Sequence, residues 1–351
     1  MLDNMNLLKQ RDPSDTLGAV SQVPAQARHE VVVQLPAEAG PVRQVVIAGM
    51  GGSALAADMV KVLVARQLSI PVEIVKGYAL PDYIGPETLV IAVSHSGNTE
   101  ETLCCYQQAR QAGCQLMALS TGGQLTQRAA QDTVPHVVVP TGSQPRMSTV
   151  YHLRGLLALL AHAGVTDRQL YDQVSQQAEW LEQEIAVWAP EVPASRNLAK
   201  QLAGQLVGKT PVFYAGELTW PLAYKWKISW NESAKNVAFW DQYPEFNHNE
   251  FIGWSSHPVD KPFAVVDLRS QLERPRIRER MELSDRLLSG LRPKALAVEL
   301  QGETLVQQLL WGLSLGDMAS IYGAVLNGVD PEPVALVEQL KKQLSPDGLD
   351  A

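Results

Sequence analysis

The sequence predicts an α/β protein with two domains, each a parallel β-sheet covered by helices on both faces in three layers. Three observations lead to this expectation. The chain has 351 residues, which is longer than a single hydrophobic core usually reaches. Short apolar segments alternate with helical ones in both halves, as in parallel sheets that are buried on both faces. Residues 150–188, between the halves, show no strand pattern and are typical of helix.

The boundaries follow from these patterns. We expect a polar lead-in over residues 1–30, a first domain over 31–150, a helical linker over 151–192 and a second domain over 193–351. The linker carries its apolar residues on one helical face. It ends at two prolines, which cannot continue a helix.

The predicted elements can be placed on the chain in order. In the first half, the apolar segments that predict strands are 45–48, 72–75, 89–93, 115–119 and 136–139, and the helical spacings are 53–65 and 100–112. In the second half, the predicted strands are 211–215, 263–266 and 295–300, with a helix around Trp226 and Trp230. Two further helices are predicted at 303–326 and 333–344.

Composition narrows the class of protein. Apolar residues make up 46% and charged residues 19% of the chain, so a sizeable core can form. No apolar run approaches the ~20 residues of a membrane span, and the first residues lack the pattern of a signal peptide. We therefore expect a cytoplasmic protein. The net charge of −8 disfavours a nucleic-acid partner, and Cys104, Cys105 and Cys114 match neither a disulfide framework nor a zinc site.

A glycine-rich segment follows the first predicted strand and opens a helix. Its residues, Gly49-Met50-Gly51-Gly52-Ser53-Ala54, let the backbone approach a ligand closely, and a helix N-terminus favours anions. The spacing also fits a dinucleotide fingerprint, with Glu73 about 20 residues further on. On this segment alone three interpretations stay open: a dinucleotide site, another anion site, or a tight turn without a ligand.

A second loop favours a phosphate site. Ser94-His95-Ser96-Gly97-Asn98-Thr99 follows a predicted strand and places three hydroxyl side chains within one turn. Gly97 permits a tight bend, and Asn98 or Thr99 can cap the helix that begins at Glu100. Hydroxyls and free N–H groups at a helix start can bind phosphate without any lysine. A capped turn with extra serines is the simpler alternative, but the density of hydroxyls favours phosphate binding.

Together, the two loops resemble the phosphosugar-binding signature of SIS (sugar isomerase) domains. The chain is similar over most of its length to the bifunctional phosphoglucose/phosphomannose isomerases, a family of the glucose-6-phosphate isomerase superfamily. The further segments that carry the resemblance are Pro145-Arg146, Lys225-Trp226-Lys227, Asn231-Glu232-Ser233-Ala234-Lys235, Pro244-Glu245-Phe246-Asn247-His248-Asn249-Glu250, Gly316-Asp317 and Val329-Asp330-Pro331. Two residues depart from the family's usual pattern, His95 and Ser233, and we expect neither to contact a residue of the chemistry.

The resemblance implies two SIS domains and an isomerase that interconverts glucose 6-phosphate or mannose 6-phosphate with fructose 6-phosphate. Such a reaction moves a proton between neighbouring carbons through an enediol, which one carboxylate can do. By resemblance that carboxylate is Glu232. It also lies in a tryptophan-rich segment, and apolar surroundings make a carboxylate more basic. A surface glutamate on an amphipathic helix is the simpler alternative.

The resemblance assigns the other site residues as well. Arg146 faces the enediol oxygens, which need a cation or donor. His248 opens the sugar ring, which suits histidine because imidazole exchanges protons near neutral pH. Lys341, with Lys342 beside it, matches a lysine of the family's C-terminal helix. The sugar and its phosphate are bound by Gly51, Gly52, Ser53, Ser94, Ser96 and Thr99.

Partners and cofactors follow from the same resemblance. The family's dimers complete each site with the histidine of the neighbouring subunit, so a homodimer is implied. We expect no cofactor, no metal, no membrane and no nucleic acid.

Two other functions compete with the isomerase. A sugar-phosphate-binding SIS protein would keep the loop at Ser94 but has no need of Glu232, His248 and Arg146, and all three are present. A nicotinamide-dependent dehydrogenase would explain the glycine-rich segment and Glu73 but leaves the second loop without a purpose.

Overall fold

The described chain forms two β-sheets, one in each half, with helices on both faces of each. The structure, a computed structural model, describes residues 1–35, 40–142, 144–256 and 262–344. Residues 345–351 of the predicted second domain therefore lie outside it. The predicted α/β architecture with two parallel-rich sheets is confirmed.

The first sheet has six strands in the order β1-β6-β5-β4-β2-β3. All neighbours are parallel except β1, which pairs antiparallel with β6 at one edge. Leaving β1 aside, the order is that of a doubly wound sheet whose chain direction switches between β2 and β4. The strands are β1 (Val33–Gln34), β2 (Gln44–Gly49), β3 (Val72–Val75), β4 (Thr88–Ser94), β5 (Gln115–Ser120) and β6 (His136–Val138).

The second sheet repeats this order with four parallel strands, β10-β9-β7-β8. Its strands are β7 (Thr210–Ala215), β8 (Phe239–Gln242), β9 (Phe263–Arg269) and β10 (Leu296–Glu299). The sequence pattern missed β8. This edge strand is short and only half-buried, so its residues lack the continuous apolar run of a strand covered on both faces.

Fifteen helices are present in the described part of the chain. They are α1 (Met5–Arg11), α2 (Thr16–Ser21), α3 (Val23–Arg28), α4 (Gly51–Val64), α5 (Glu100–Gln111), α6 (Gly123–Gln131), α7 (Thr149–His162), α8 (Gln169–Gln176), α9 (Ala178–Ala186), α10 (Leu198–Leu206), α11 (Trp220–Glu232), α12 (Glu250–Gly253), α13 (Pro275–Leu287), α14 (Leu305–Asn327) and α15 (Ala335–Leu344).

One apolar core lies between the two sheets and joins the halves. It contains Ile47 and Leu55 from the first half and Phe213, Trp226 and Met318 from the second. Separate, smaller cores lie on the outer faces, under α5 and α6 on the first sheet and under α13 on the second. The halves therefore share their largest buried surface.

The first 30 residues are more ordered than the sequence suggested. In place of an unpatterned lead-in they form α1, α2 and α3, which bury Leu8, Leu17 and Val20 against the shared core. Helices of six or seven residues are too short to show a repeated apolar spacing, which explains why the pattern was not visible.

The long helix α14 lies in the shared core, close to its predicted bounds. By length and composition it could cross a membrane, although no uninterrupted apolar run had suggested this. In the structure, 94% of its most apolar window is buried inside the protein, so it is a core helix. It packs closely on α11: Trp226 Nε1 donates a hydrogen bond to the Gly312 carbonyl at 2.8 Å.

This close packing gives a test of the shared core. A Cβ atom at Gly316 would lie 2.4 Å from the Trp226 indole, so Gly316→Ala must push α14 away from α11. We expect a loss of about 1–3 kcal/mol in the free energy of unfolding, measured with urea. Gly204→Ala in α10 is the matched control, because no atom lies within 4 Å of a Cβ there. Equal effects of the two substitutions would contradict close packing at Gly316.

Candidate active site

Two loops meet where the direction of the first sheet switches. β2 leads into α4 through Gly51, whose φ is +51°, and β4 leads into the loop at Ser94. The His95 amide donates to Ser53 Oγ at 3.0 Å and joins the two loops directly. The carboxyl ends of neighbouring strands at such a switch point are where open α/β sheets bind ligands. The first turn of α4 adds free backbone N–H groups.

The loop after β4 is held in one conformation. Gly97 has φ +70°, and a Cβ there would lie 1.8 Å from the Gly122 carbonyl oxygen, so only glycine fits. The Leu125 amide donates to the Gly97 carbonyl at 2.8 Å, and the Gln124 amide donates to Asn98 Oδ1 at 3.0 Å. These hydrogen bonds from the first turn of α6 thus stabilise the conformation of the loop.

The hydroxyls of this loop divide into two kinds. Ser94 is buried, and its Oγ lies 2.8 Å from Thr99 Oγ1. Thr99 precedes α5 as its N-cap, but its side chain makes no capping hydrogen bond because it faces Ser94. Ser96 is exposed, and its Oγ accepts from the Asn98 amide at 3.2 Å. Ser96 is therefore the most accessible hydroxyl, while Ser94 stabilises the loop.

At the switch point of the second sheet, a side chain of the protein takes the position that a bound anion would have. There β7 leads into α11, and the switch lies between β7 and β9. The buried Glu273 carboxylate accepts from the Leu218 amide at 2.7 Å and from the Thr219 amide and hydroxyl at 3.2 Å. The Glu273 carboxylate thus accepts hydrogen bonds from the donors at the start of α11, whereas the corresponding donors at the start of α4 are left open in the first half.

Arg146 lies beside the first helix turn of α4. It belongs to the 3₁₀ turn Pro145–Met147, and a Cβ at Gly52 would lie 2.9 Å from the Pro145 carbonyl oxygen, so the turn packs on glycine backbone. Its side chain is 1% exposed, and Nη1 lies 3.3 Å from Glu232 Oε2. The structure thus brings together the predicted residues Gly52, Arg146 and Glu232.

The rest of the guanidinium is bound by groups that the sequence reasoning missed. Nη2 of Arg146 donates to the carbonyls of Pro331 at 2.7 Å and Glu332 at 2.8 Å. Nε donates to Ser233 Oγ at 3.2 Å. Ser233 was expected to contact no residue of the chemistry, and that expectation is wrong. Its hydroxyl is an acceptor aimed at Arg146.

A buried ion pair holds the main chain at Arg146. Lys225 Nζ lies 2.7 Å from Asp317 Oδ1 and donates to the Arg146 carbonyl at 2.8 Å. Ser229 donates to the same Asp317 oxygen at 2.6 Å. Lys225 and Asp317 are fully buried, so their charges require this pairing. The pair links α11 and α14 to the turn from the first half.

Glu232 ends α11 in surroundings that differ from the expected ones. Trp226 and Trp230 point into the shared core, where their rings pack on Phe213 at 5.5 and 6.2 Å. The Glu232 side chain is 34% exposed and faces Arg146. The expected apolar surroundings are absent because Glu232 lies on a different face of the helix from the tryptophans.

Lys235 is a further cation at this place. Its Nζ donates to the carbonyls of Glu232 and Pro331. Burial and the Arg146 charge lower the pKa of Lys235 below its ordinary value. The sequence motif contained this lysine, but no role was assigned to it.

His248 and Lys341 lie on other elements than those that carry Arg146 and Glu232. His248 is exposed at the end of the 3₁₀ turn Glu245–His248 beyond β8, and Lys341 lies on α15, whose residues are all exposed. Within residues 1–35, 40–142, 144–256 and 262–344, no hydrogen bond or ion pair joins either side chain to Glu232. Their roles stay predictions.

Comparison with protein families identifies the class. Residues 41–153 match the family model described as SIS domain, and residues 195–344 match the one described as bacterial phospho-glucose isomerase C-terminal SIS domain. These two ranges contain all the strands except β1 and all the loops described above. The fold and the site thus define a protein built from two SIS domains.

Comparison with individual relatives identifies the family within this class. A bifunctional phosphoglucose/phosphomannose isomerase of Caldicellulosiruptor bescii is 34% identical over 89% of this chain and 93% of its own. One from Aquifex aeolicus is 30% identical over 87% and 91%. The chain belongs to the bifunctional phosphoglucose/phosphomannose isomerase family. A solved glucose-6-phosphate isomerase like protein from Thermus thermophilus shares the fold, with a TM-score of 0.65 at 20% identity over 97% of this chain and 98% of its own.

The buried ion pair can be tested by removing one charge. Lys225→Met leaves Asp317 buried without its cation, so we expect a loss of about 3–5 kcal/mol in the free energy of unfolding. Lys225→Met with Asp317→Leu removes both charges and should recover most of that loss. Lys227→Met, the same change on the half-buried face of α11, is the matched control. A similar small loss for both single variants would show that the pair does not hold the halves together.

Proposed function

We propose that the chain interconverts glucose 6-phosphate and mannose 6-phosphate with fructose 6-phosphate, as its resemblance to relatives named bifunctional phosphoglucose/phosphomannose isomerase implies. The observation that carries the proposal is the contact between Arg146 and Glu232 at 3.3 Å, beside an anion-binding loop. A carboxylate for the proton and a cation for the oxygens are the two groups that an enediol reaction requires.

The phosphate end of the substrate binds at the switch point of the first sheet. Ser96 and Thr99 donate from their hydroxyls, and the backbone N–H groups of Gly51 and Gly52 add the positive end of α4. Ser53 joins the two loops, and Ser94 stabilises the loop that carries Thr99. The site needs no lysine for the phosphate, in keeping with a chain of net charge −8.

Glu232 transfers the proton. Its carboxylate takes the proton from C2 of the open-chain aldose, and the electron pair moves to the carbonyl oxygen at C1. Arg146 stabilises the oxygen that becomes negative. Glu232 then returns the proton to C1, and the proton of the C2 hydroxyl passes to the negative oxygen at C1 as the ketone forms at C2. Return of the proton to either face of C2 in the reverse direction yields glucose 6-phosphate or mannose 6-phosphate.

Ring opening requires a second copy of the chain. His248 is exposed, and the resemblance to the family's dimers implies that it serves the site of a neighbouring subunit in a homodimer. Lys341 on α15 adds a cation near the enediol when the site is complete. The protein acts in the cytoplasm on small sugar phosphates, without metal or cofactor.

Removal of the base tests the proposal directly. Glu232→Gln keeps the shape and a hydrogen-bond acceptor for Arg146 but cannot take a proton, so kcat should fall by about 10²–10⁴-fold in a coupled assay with fructose 6-phosphate. Glu217→Gln, an exposed glutamate just before the same helix, is the matched control and should stay near the unsubstituted rate. Near-normal turnover by Glu232→Gln would refute the assigned base.

The shared site can be tested by mixing two defective proteins. Glu232→Gln and His248→Asn are each expected to be slow on a cyclic sugar phosphate. After joint unfolding and refolding, about half of the dimers are mixed, and each holds one site with both native residues, so about a quarter of the native activity should return. Proteins refolded separately and then assayed together at once are the control. No recovery in the mixed dimers would mean that each subunit uses its own His248.

A further inference from the structure

The loop that carries His248 is fastened to the second half on both sides of the histidine. Immediately before it, Asn247 Nδ2 donates to Ser284 Oγ at 2.8 Å, and Asn247 Oδ1 accepts from Arg280 Nη1 at 3.2 Å. Two residues after it, the Glu250 carboxylate accepts a hydrogen bond from the Tyr214 hydroxyl of β7. An exposed imidazole is thus held between two anchored neighbours.

The turn is also held in place by an aromatic side chain that packs into the core. Phe246 is fully buried. Its ring lies 4.6 Å from that of Tyr214 and 5.0 Å from that of Tyr243, measured between centroids. Because protein cores are close-packed, the backbone of this turn cannot shift without moving Tyr214. Tyr214 therefore controls the turn through its ring and through its hydroxyl.

The contact between Tyr214 and Glu250 has a clear electrostatic role. Burial raises the pKa of Glu250, and the hydrogen bond from Tyr214 opposes that shift. Burial, followed by the charge of Glu250, raises the pKa of Tyr214, which remains a hydroxyl donor. The tyrosine thus stabilises a partly buried carboxylate at the start of α12, and this fixes the end of the His248 loop.

We propose that Tyr214 and Glu250 are positioning residues for ring opening: their hydrogen bond sets where the His248 imidazole projects from the subunit. The proposal rests on the proposed function, in which His248 opens the ring of a sugar phosphate bound to the neighbouring subunit. Neither residue touches the substrate. They act through His248, so their effect should vanish when His248 is absent.

A double-mutant cycle tests this dependence. Tyr214→Phe keeps the ring and removes only the donor. A displacement of the imidazole by about 1 Å can cost up to ~100-fold, so we expect a 10–100-fold lower kcat/KM on cyclic glucose 6-phosphate. In the His248→Asn background the same change should have no further effect. Glu250→Gln, which keeps an acceptor for the tyrosine, should retain most of the native rate.

A matched control separates positioning from stability. Tyr106 is a buried tyrosine in the first half whose hydroxyl donates to the Asp132 carboxylate at 2.9 Å. Tyr106→Phe removes the same kind of bond far from His248 and should leave kcat/KM unchanged. If Tyr214→Phe fails to fold, Ser284→Ala removes the acceptor of Asn247 and should show the same dependence on His248.

The outcomes are distinct. A loss on Tyr214→Phe that persists in full in the His248→Asn background overturns the positioning role and leaves the proposed function standing. The same holds if Tyr106→Phe lowers kcat/KM as much as Tyr214→Phe does. If His248→Asn itself leaves turnover of the cyclic substrate intact, the ring-opening role of His248 is wrong and the positioning proposal falls with it.

Discussion

The active site depends on the buried ion pair between Lys225 and Asp317. Lys225 also donates to the Arg146 carbonyl, so the pair fixes the backbone that carries the guanidinium. Glu232 lies seven residues after Lys225 on α11, which is two turns along the same face of the helix. The buried ion pair therefore helps to position both Arg146 and Glu232, the two residues that the proposed enediol reaction requires. Removal of a single partner would leave an uncompensated charge in the core, so the arrangement is stable only as a whole.

The two halves have the same strand order but different tasks. In the first half, the switch point of the sheet is open and lined by Ser96 and the start of α4. In the second half, Glu273 occupies the donors at the corresponding place. A chain with two similar domains thus leaves the loop at Ser94 open in one of them, while the other carries Glu232 and His248, to which we assign the chemistry in our proposal. This division explains why the reacting groups come from residues far apart in the sequence.

The sequence predicted the fold best where the strands are apolar runs. All five parallel strands of the first sheet have such runs, whereas β8 escaped detection because it is short and ends in the polar residues Asp241 and Gln242. The residues Arg146 and Glu232 were found through motifs, and their contact confirms that the motifs converge. The partners of Arg146 were not predictable, because Ser233 and the carbonyls at Pro331 and Glu332 reach it only through tertiary packing. The surroundings of Glu232 were predicted wrongly because composition of a segment does not reveal which helix face a residue occupies.

The central claim is that the chain moves a proton through an enediol at Glu232 and reaches both epimers at C2. The most direct measurement is nuclear magnetic resonance of the products formed from fructose 6-phosphate by the native protein in D₂O. A proton held on a carboxylate that is one-third exposed exchanges with solvent, so the account predicts deuterium at C2 of both glucose 6-phosphate and mannose 6-phosphate. Formation of both aldoses at the full rate with no deuterium at C2 would contradict it, because the hydrogen would then move by a direct hydride shift or in a site closed to solvent, and not through an exposed carboxylate.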